Sequence, residues 1–326
     1  MDIVRWGIIG CGDVCEVKSG PAFYKSEHSE LVAVMRRDAA KAKDFAQRHH
    51  VAQWYTSAEE LLANSQIDAV YIATPPSMHC AYTLMALKAD KAVYVEKPMA
   101  LTYSECMEMV NAAKEVGKPL FVAHYRRALP YFVKVKELVE CGAVGKPLTV
   151  RVEQLRVASE SDIRLQKHTW RINPEVAGGG YLYDLAPHTI DILDFILGRI
   201  ADVHGFAVNL GKLYSAEDTV AASFLFESGV LGTASWSFVA APQAAVDSIE
   251  IVGTRGKITF STFEFTPIVL QNGDGLQTFD FEKPQHIQQP LIQTIVDELL
   301  GKGECPSKGE VAARPSWFFD KIFGRI

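Results

Sequence analysis

Two stretches of this chain set residue types at spacings that suit proton transfer and phosphate binding. The first is Gly178-Gly179-Gly180 followed by Asp184-x-x-x-His188-x-x-Asp191. On a helix, positions i, i+4 and i+7 share a face, so both carboxylates and the imidazole line up. An imidazole titrates near neutrality and passes a proton either way, and a carboxylate one turn away orients it or holds a hydroxyl. The glycines remove side chains ahead of the helix, so backbone can approach a ligand at the positive end of the helix dipole. Taken as an isolated pair, Asp184 and His188 read more simply as a helix cap and a core hydrogen bond. The second stretch is Gly10-Cys11-Gly12-Asp13-Val14-Cys15. Gly10 permits a tight turn, and Gly12 lets the backbone close on a pyrophosphate seated at the N-terminus of the next helix. Cys15, in place of a third glycine, is small enough for close helix packing. An ordinary glycine turn is the alternative, but the placement after an N-terminal strand, at the head of a β-α series, favours a dinucleotide.

The strand after that helix ends Val34-Met35-Arg36-Arg37-Asp38. An NAD site needs a carboxylate there for the ribose 2′-hydroxyl. Arg36 occupies the position, and a guanidinium suits a 2′-phosphate and stacks on adenine, so the expected cofactor is NADP, with NAD second. The competing arrangement leaves Arg36 and Arg37 as solvated charges and sends Asp38 to the ribose. Further on, the apolar run Ala92–Val95 enters Glu96-Lys97-Pro98. Ligands of an open α/β sheet bind at the carboxyl ends of its strands. An ammonium at such an end can reach a nicotinamide ribose and steady an alkoxide forming on a substrate. A lone Lys-Pro is otherwise a surface turn.

The elements that must carry these residues change character along the chain. Residues 4–9, 31–35, 69–73, 92–95 and 119–123 read as short buried strands, alternating with helical stretches 39–49, 79–88 and 104–116. Such β-α repeats imply a parallel sheet with helices on both faces. After a helix at 132–141 come strand-rich segments at 148–157, 203–208, 219–226, 230–238, 247–252 and 257–260. Glu227-Ser228-Gly229 and Thr254-Arg255-Gly256 mark hairpins. Only 181–197 and the chain from Pro290 onward read as helical there. The expectation is an α/β chain of two domains: a doubly wound Rossmann domain over 1–123, and an α/β domain over 124–326 with a large open, mostly antiparallel sheet. A sheet of that size needs both faces covered, so one face is expected to meet a second copy in a homodimer or homotetramer.

Bulk properties exclude several classes. The chain has 326 residues, 48% hydrophobic and 22% charged, with a net charge of -6. A pI near 5.9 disfavours a broad nucleic-acid surface. None of the six cysteines forms a C-x-x-C pair, and no cluster has zinc spacing, so no metal is expected and the cysteines read as thiols in a reducing compartment. No apolar stretch is long enough to span a bilayer and the start lacks a signal-peptide layout, so the expected location is the cytoplasm.

In their order, several pieces resemble the glucose-fructose oxidoreductase / inositol dehydrogenase / rhizopine catabolism (Gfo/Idh/MocA) family. They are Gly10-x-Gly12, Ala73-Thr74-Pro75-x-x-x-His79, Glu96-Lys97-Pro98, Arg127-x-x-Pro130, Trp170-Arg171, and the triple glycine followed by Asp184, His188 and Asp191. The resemblance implies hydride transfer between a nicotinamide and a carbinol or ketone carbon of a sugar, polyol or related small molecule. It implies catalytic roles for Lys97, Asp184 and His188, with His188 moving the proton. Cofactor contacts would come from Gly10, Gly12, Asp13, Val14, Arg36, Arg37, Ala73, Thr74, Pro75, His79, Glu96 and Lys97. Tyr125, Arg127, His168, Trp170, Arg171 and Tyr181 are substrate-pocket candidates. The sequence departs from the family pattern at Pro76 and around Ala123-His124-Tyr125, where ligands are held, which bears on substrate identity. Two other functions suit the same scaffold: an NAD-dependent glycoside hydrolase, and a dinucleotide-sensing regulator without catalysis. Retention of both Lys97 and His188 argues against the regulator.

Overall fold

The computed structural model describes residues 2–160 and 169–326. Its first sheet has six parallel strands: β1 (Val4–Ile9), β2 (Ser29–Met35), β3 (Gln53–Tyr55), β4 (Ala69–Ile72), β5 (Ala92–Val95) and β6 (Leu120–Val122). Their spatial order is β3-β2-β1-β4-β5-β6. This is the doubly wound Rossmann order, and its direction reverses between β1 and β4, where such sheets bind ligands. The two-residue pleat sorts the core into two layers. On one face Trp6, Phe23, Tyr71 and Tyr94 pack as a buried aromatic group, with Trp6–Phe23 and Tyr71–Tyr94 centroids each 4.9 Å apart. On the other, Ile9, Val70, Ile72, Val93 and Val95 meet the helices His79–Lys88 and Tyr103–Val116. The latter helix starts at Thr102, whose hydroxyl accepts from the Glu105 N–H, and stops at Gly117 in the left-handed region at φ 66°.

The second sheet has eight strands: β7 (Pro147–Leu155), β8 (Ile200–Val208), β9 (Thr219–Phe226), β10 (Leu231–Ser237), β11 (Val246–Gly253), β12 (Gly256–Phe260), β13 (Ile268–Asn272) and β14 (Gly275–Phe279). Their order is β14-β13-β12-β11-β7-β10-β9-β8, parallel only between β7 and β10. Both expected hairpins form, β9–β10 and β11–β12. Burial alternates along the strands. Val150, Val152, Phe224, Phe226 and Trp236 point inward, and Phe318 packs on Phe224 and Trp236 at 5.4 and 6.4 Å. Each such large apolar side chain taken from water contributes about 1.5–3 kcal/mol. The other face carries Arg151, Glu153, Ser223, Leu225, Leu231 and Thr233 in the open, and Phe206 is 82% exposed.

The compact units divide differently from the expected 1–123 and 124–326. One comprises Met1–Leu129 with Pro284–Arg314, the other Pro130–Lys283 with Pro315–Ile326. The helix Gln289–Leu299 accounts for the return. It buries Leu291, Ile292, Ile295 and Val296 and packs on the turn Tyr125–Ala128 of the first unit. Its periodicity shows that it is amphipathic, but not which layer takes its apolar side. Among the described residues no helix is long and apolar enough to cross a membrane, and no group of three or more His, Cys, Asp or Glu side chains could hold a metal ion.

Candidate functional site

The glycine turn sits at the reversal of the first sheet. Gly10 has φ 92°, and a Cβ there would lie 2.8 Å from Thr74 Cγ2 and 3.1 Å from the Ala73 carbonyl carbon. Glycine is what lets the ends of β1 and β4 meet. Gly12 heads the helix Asp13–Val17, and a Cβ on it would meet only Gly10 O, at 3.9 Å. That open side leaves backbone room for a pyrophosphate, so the turn fits the cofactor expected from the sequence. Asp13 is exposed and Val14 half-buried. Cys11 and Cys15 are buried thiols; burial pushes Cys11 up to about 11 and Cys15 further, which makes them packing groups rather than nucleophiles.

At the end of β2 the charges are divided. Arg36 Nη1 donates to Cys11 O at 3.1 Å, which lays its guanidinium against the glycine turn. Asp38 caps the helix Ala39–Arg48, its Oδ1 accepting from Lys41 N at 3.1 Å, and it pairs with the Lys41 ammonium at 3.6 Å. The carboxylate that the sequence offers to a ribose hydroxyl is thus held at the start of its own helix. Arg37 is exposed and has no side-chain partner among the described residues.

Ala73, Thr74 and Pro75 are half-buried at the end of β4, and Thr74 Oγ1 lies out of solvent with no partner among the described residues. His79 is fully buried, its Nδ1 2.9 Å from Pro98 O and its Nε2 2.8 Å from Thr74 O. Burial drives its pKa down, so the neutral ring is favoured and donates to one of these two carbonyls. It ties the Thr74 loop to the Lys97-Pro98 turn.

Lys97 is half-buried on a turn held from below by Glu96. Glu96 Oε1 accepts from Tyr71 OH at 2.5 Å and from Gln288 Nε2 at 2.6 Å, and Oε2 accepts from the Lys97 N–H at 3.1 Å. Tyr94 OH completes the network by donating to Gln288 Oε1 at 2.7 Å. Burial raises the pKa of both tyrosines, which keeps them as donors. Gln288 comes from the returning segment, which also reaches the glycine-turn helix: Gln288 N donates to Lys18 O, and His286 Nδ1 to Val17 O at 2.7 Å. Since a carbonyl only accepts, His286 carries its proton on Nδ1 and its Nε2 receives the Lys25 ammonium at 2.6 Å. No motif pointed to Gln288 or His286, which lie in no recognisable pattern.

In the second unit the helix Gly180–Leu197 bears Asp184, His188 and Asp191 on one face. Asp184 pairs with Arg171 at 3.6 Å, and the Arg171 guanidinium lies over the Trp170 ring at 4.8 Å. His188 and Asp191 are buried, and the His188 ring meets Phe263 edge-on at 5.6 Å. Two of the three glycines have a packing cause. A Cβ on Gly179 would lie 2.3 Å from the Tyr183 ring, and one on Gly180, at φ 61°, would lie 2.6 Å from Ala216 Cβ. The room is taken by the protein's own side chains. Tyr181 is buried, with the Tyr214 and Phe238 rings at 5.8 and 6.0 Å. Tyr125 and Arg127 are buried in the first unit, where Arg127 Nη1 donates to Pro306 O at 3.3 Å. His168 lies outside the described residues.

A Rossmann unit with an open glycine turn and a buried lysine-bearing turn, and a sheet unit with an Asp-His helix, define a dinucleotide-dependent oxidoreductase scaffold. Residues 4–124 match the oxidoreductase family with an NAD-binding Rossmann fold, and residues 132–259 match the GFO/IDH/MocA C-terminal domain. The chain is 41% identical over 321 residues to an oxidoreductase of Formosa agariphila, covering 98% of each. It is 27% identical to a 1,5-anhydro-D-fructose reductase of Ensifer adhaerens, covering 94% of this chain and 91% of that one. A solved oxidoreductase from Thermotoga maritima superposes with a TM-score of 0.86 at 26% identity, over 98% of this chain and 95% of its own. The chain belongs to the Gfo/Idh/MocA oxidoreductase family.

Proposed function

We propose that this chain is an NADP(H)-linked dehydrogenase or reductase acting on a CH–OH or ketone carbon of a sugar-like small molecule. The observation that carries the reading is the double anchoring of the Lys97 turn, by Glu96 from within and by His79 through Pro98, beside an open glycine turn. When bound, the nicotinamide supplies or accepts the hydride. In reduction, His188 gives a proton to the substrate oxygen, and Lys97 steadies the negative charge gathering on that oxygen. Asp184, shared with Arg171, orients the substrate or the imidazole. In oxidation the same groups run in reverse. NADP is favoured over NAD because Asp38 is spent on its helix while Arg37 has no side-chain partner among the described residues. The sugar-like substrate follows the relatives, among them the anhydrofructose reductase.

The exposed face of β8, β9 and β10, with Phe206, Leu225 and Leu231, supports a homodimer or homotetramer through the second sheet. The free cysteines support a cytoplasmic location. The catalytic assignment is tested with Lys97→Met and His188→Ala. Each is expected to lower turnover by about a hundredfold or more while dinucleotide binding, followed by nicotinamide fluorescence, survives. Unchanged turnover in both variants removes the assignment.

A further inference from the structure

The charges around His188 are not all spoken for. Arg156 follows β7, and its backbone is held on both sides: its N–H donates to Ser237 O at 2.7 Å and its carbonyl accepts from Ala240 N at 3.0 Å. The residue is half-buried. Its guanidinium lies over the Phe263 ring at 5.3 Å and, among the described residues, makes no ion pair or hydrogen bond. Most arginines of the second unit are engaged. Arg151 faces Glu250, Arg171 faces Asp184, Arg199 faces Glu227 and Arg325 faces Asp320.

The acid best placed by register to neutralise Arg156 is Asp247, which pairs with Gln154 on the neighbouring strand. Its carboxylate is already used. Oδ1 accepts from Thr262 N at 3.1 Å, and Oδ2 accepts from Phe263 N at 2.6 Å and Glu264 N at 3.2 Å. These three bonds fix the turn that presents Phe263. The turn is in turn joined to the catalytic helix, since Thr262 Oγ1 and Thr189 Oγ1 are 3.1 Å apart in the interior. Phe263 is therefore a rigid shelf with the Arg156 cation on one contact and the His188 ring on another, 5.3 and 5.6 Å from its centroid. A half-buried guanidinium pays a desolvation cost that an oxyanion would repay with charge-assisted, two-pronged hydrogen bonds.

We propose that Arg156 is a specificity-determining residue that binds an oxyanion on the substrate, so that the sugar-like substrate bears a carboxylate or a phosphate. This rests on the function proposed above, in that His188 marks the reacting end of the same substrate. Arg156 grips the anionic end, and His188 meets the reacting end.

The test is isothermal titration of the full chain, loaded with NADP+, against three probes: glucose, glucuronate and glucose 6-phosphate. The expected result is that one oxyanion probe binds at least about tenfold tighter than glucose, the scale of a charge-assisted hydrogen bond. The arm that wins separates carboxylate from phosphate. Arg156→Gln is expected to erase the preference, Arg156→Lys to keep part of it, and Arg151→Gln, on the opposite face of β7, to leave it intact. Equal binding of all three probes, or a preference that survives Arg156→Gln, overturns the proposal. Should Arg156→Gln fail to fold, a preference that falls in Arg156→Lys while Arg151→Gln keeps it supports the proposal, and a preference that Arg156→Lys keeps in full overturns it. A preference that depends on Arg156 without any hydride transfer upholds this inference and removes the function on which it rests.

Discussion

Replacing Gln288 by Leu probes the network under the Lys97 turn, and the structure allows its cost to be worked out. Gln288 is 1% exposed, so no water takes over its bonds. Leucine fills nearly the same space and removes two hydrogen bonds, one to Glu96 Oε1 and one from Tyr94 OH. Losing a bond to a carboxylate costs about 1.5–3 kcal/mol, and stranding a buried hydroxyl costs about 1–3 kcal/mol. The added apolar burial returns about 1–2 kcal/mol. Glu96 keeps Tyr71 and the Lys97 N–H, which limits the damage. The net loss is about 3 kcal/mol, or about 6–12 °C in Tm for a unit of this size. Thermal unfolding followed by far-UV circular dichroism measures it. A companion Gln288→Glu sets a second carboxyl beside Glu96, and the introduced group's pKa rises because two like charges share the site. A group with a raised folded pKa gives stability that is present below its unfolded value and lost as pH climbs through the folded one. Gln288→Glu should therefore be closer to wild type at pH 5 than at pH 8, whereas Gln288→Leu should lose the same amount at both. A Tm within about 2 °C of wild type for Gln288→Leu at both values refutes the reasoning, because losing two buried bonds must cost more than that.

Two further outcomes follow from the same geometry. Arg37→Ala should weaken NADP binding by about tenfold or more while barely moving NAD, because it deletes a cation that only a 2′-phosphate would engage; equal changes for both, by fluorescence titration, would count against the NADP preference. Phe206→Lys sets a charge on the exposed face of β8, and sedimentation velocity should show the oligomer dissociating, whereas wild-type protein that sediments as a monomer at micromolar concentration would remove the oligomer proposal.

Much of the first unit was legible in the residues. Val4–Ile9 is an unbroken apolar run, and Gly10-x-Gly12 follows it directly, so strand and turn announce each other. The alternating burial of β9 and β10 is likewise written in Val220, Ala222 and Phe224 against Ala221 and Ser223. Short strands are less legible: β3 is three residues long, and β13 and β14 lie among turn-forming residues. Single residues were harder. The motif around His79 points to the cofactor, and only its two carbonyl partners show it to be a tie between loops. The triple glycine suggests space for a ligand, yet at Gly179 and Gly180 Tyr183 and Ala216 fill that space. A glycine's need for room is visible in sequence; the occupant of the room is not.

By itself the sequence determined the succession of the longer strands and helices, the glycine turn and the Asp-His helix, because periodicity and backbone freedom are local properties that a few neighbours decide. Tertiary structure alone decided that Pro284–Arg314 rejoins the first unit, that Gln288 reaches Glu96, and that Asp247 accepts three backbone N–H bonds of the turn at Phe263 rather than pairing with Arg156. Those outcomes join residues far apart along the chain, as with Glu96 and Gln288, 192 positions apart. Which buried donor meets which acceptor across such a distance is settled only when packing closes off water as the alternative partner.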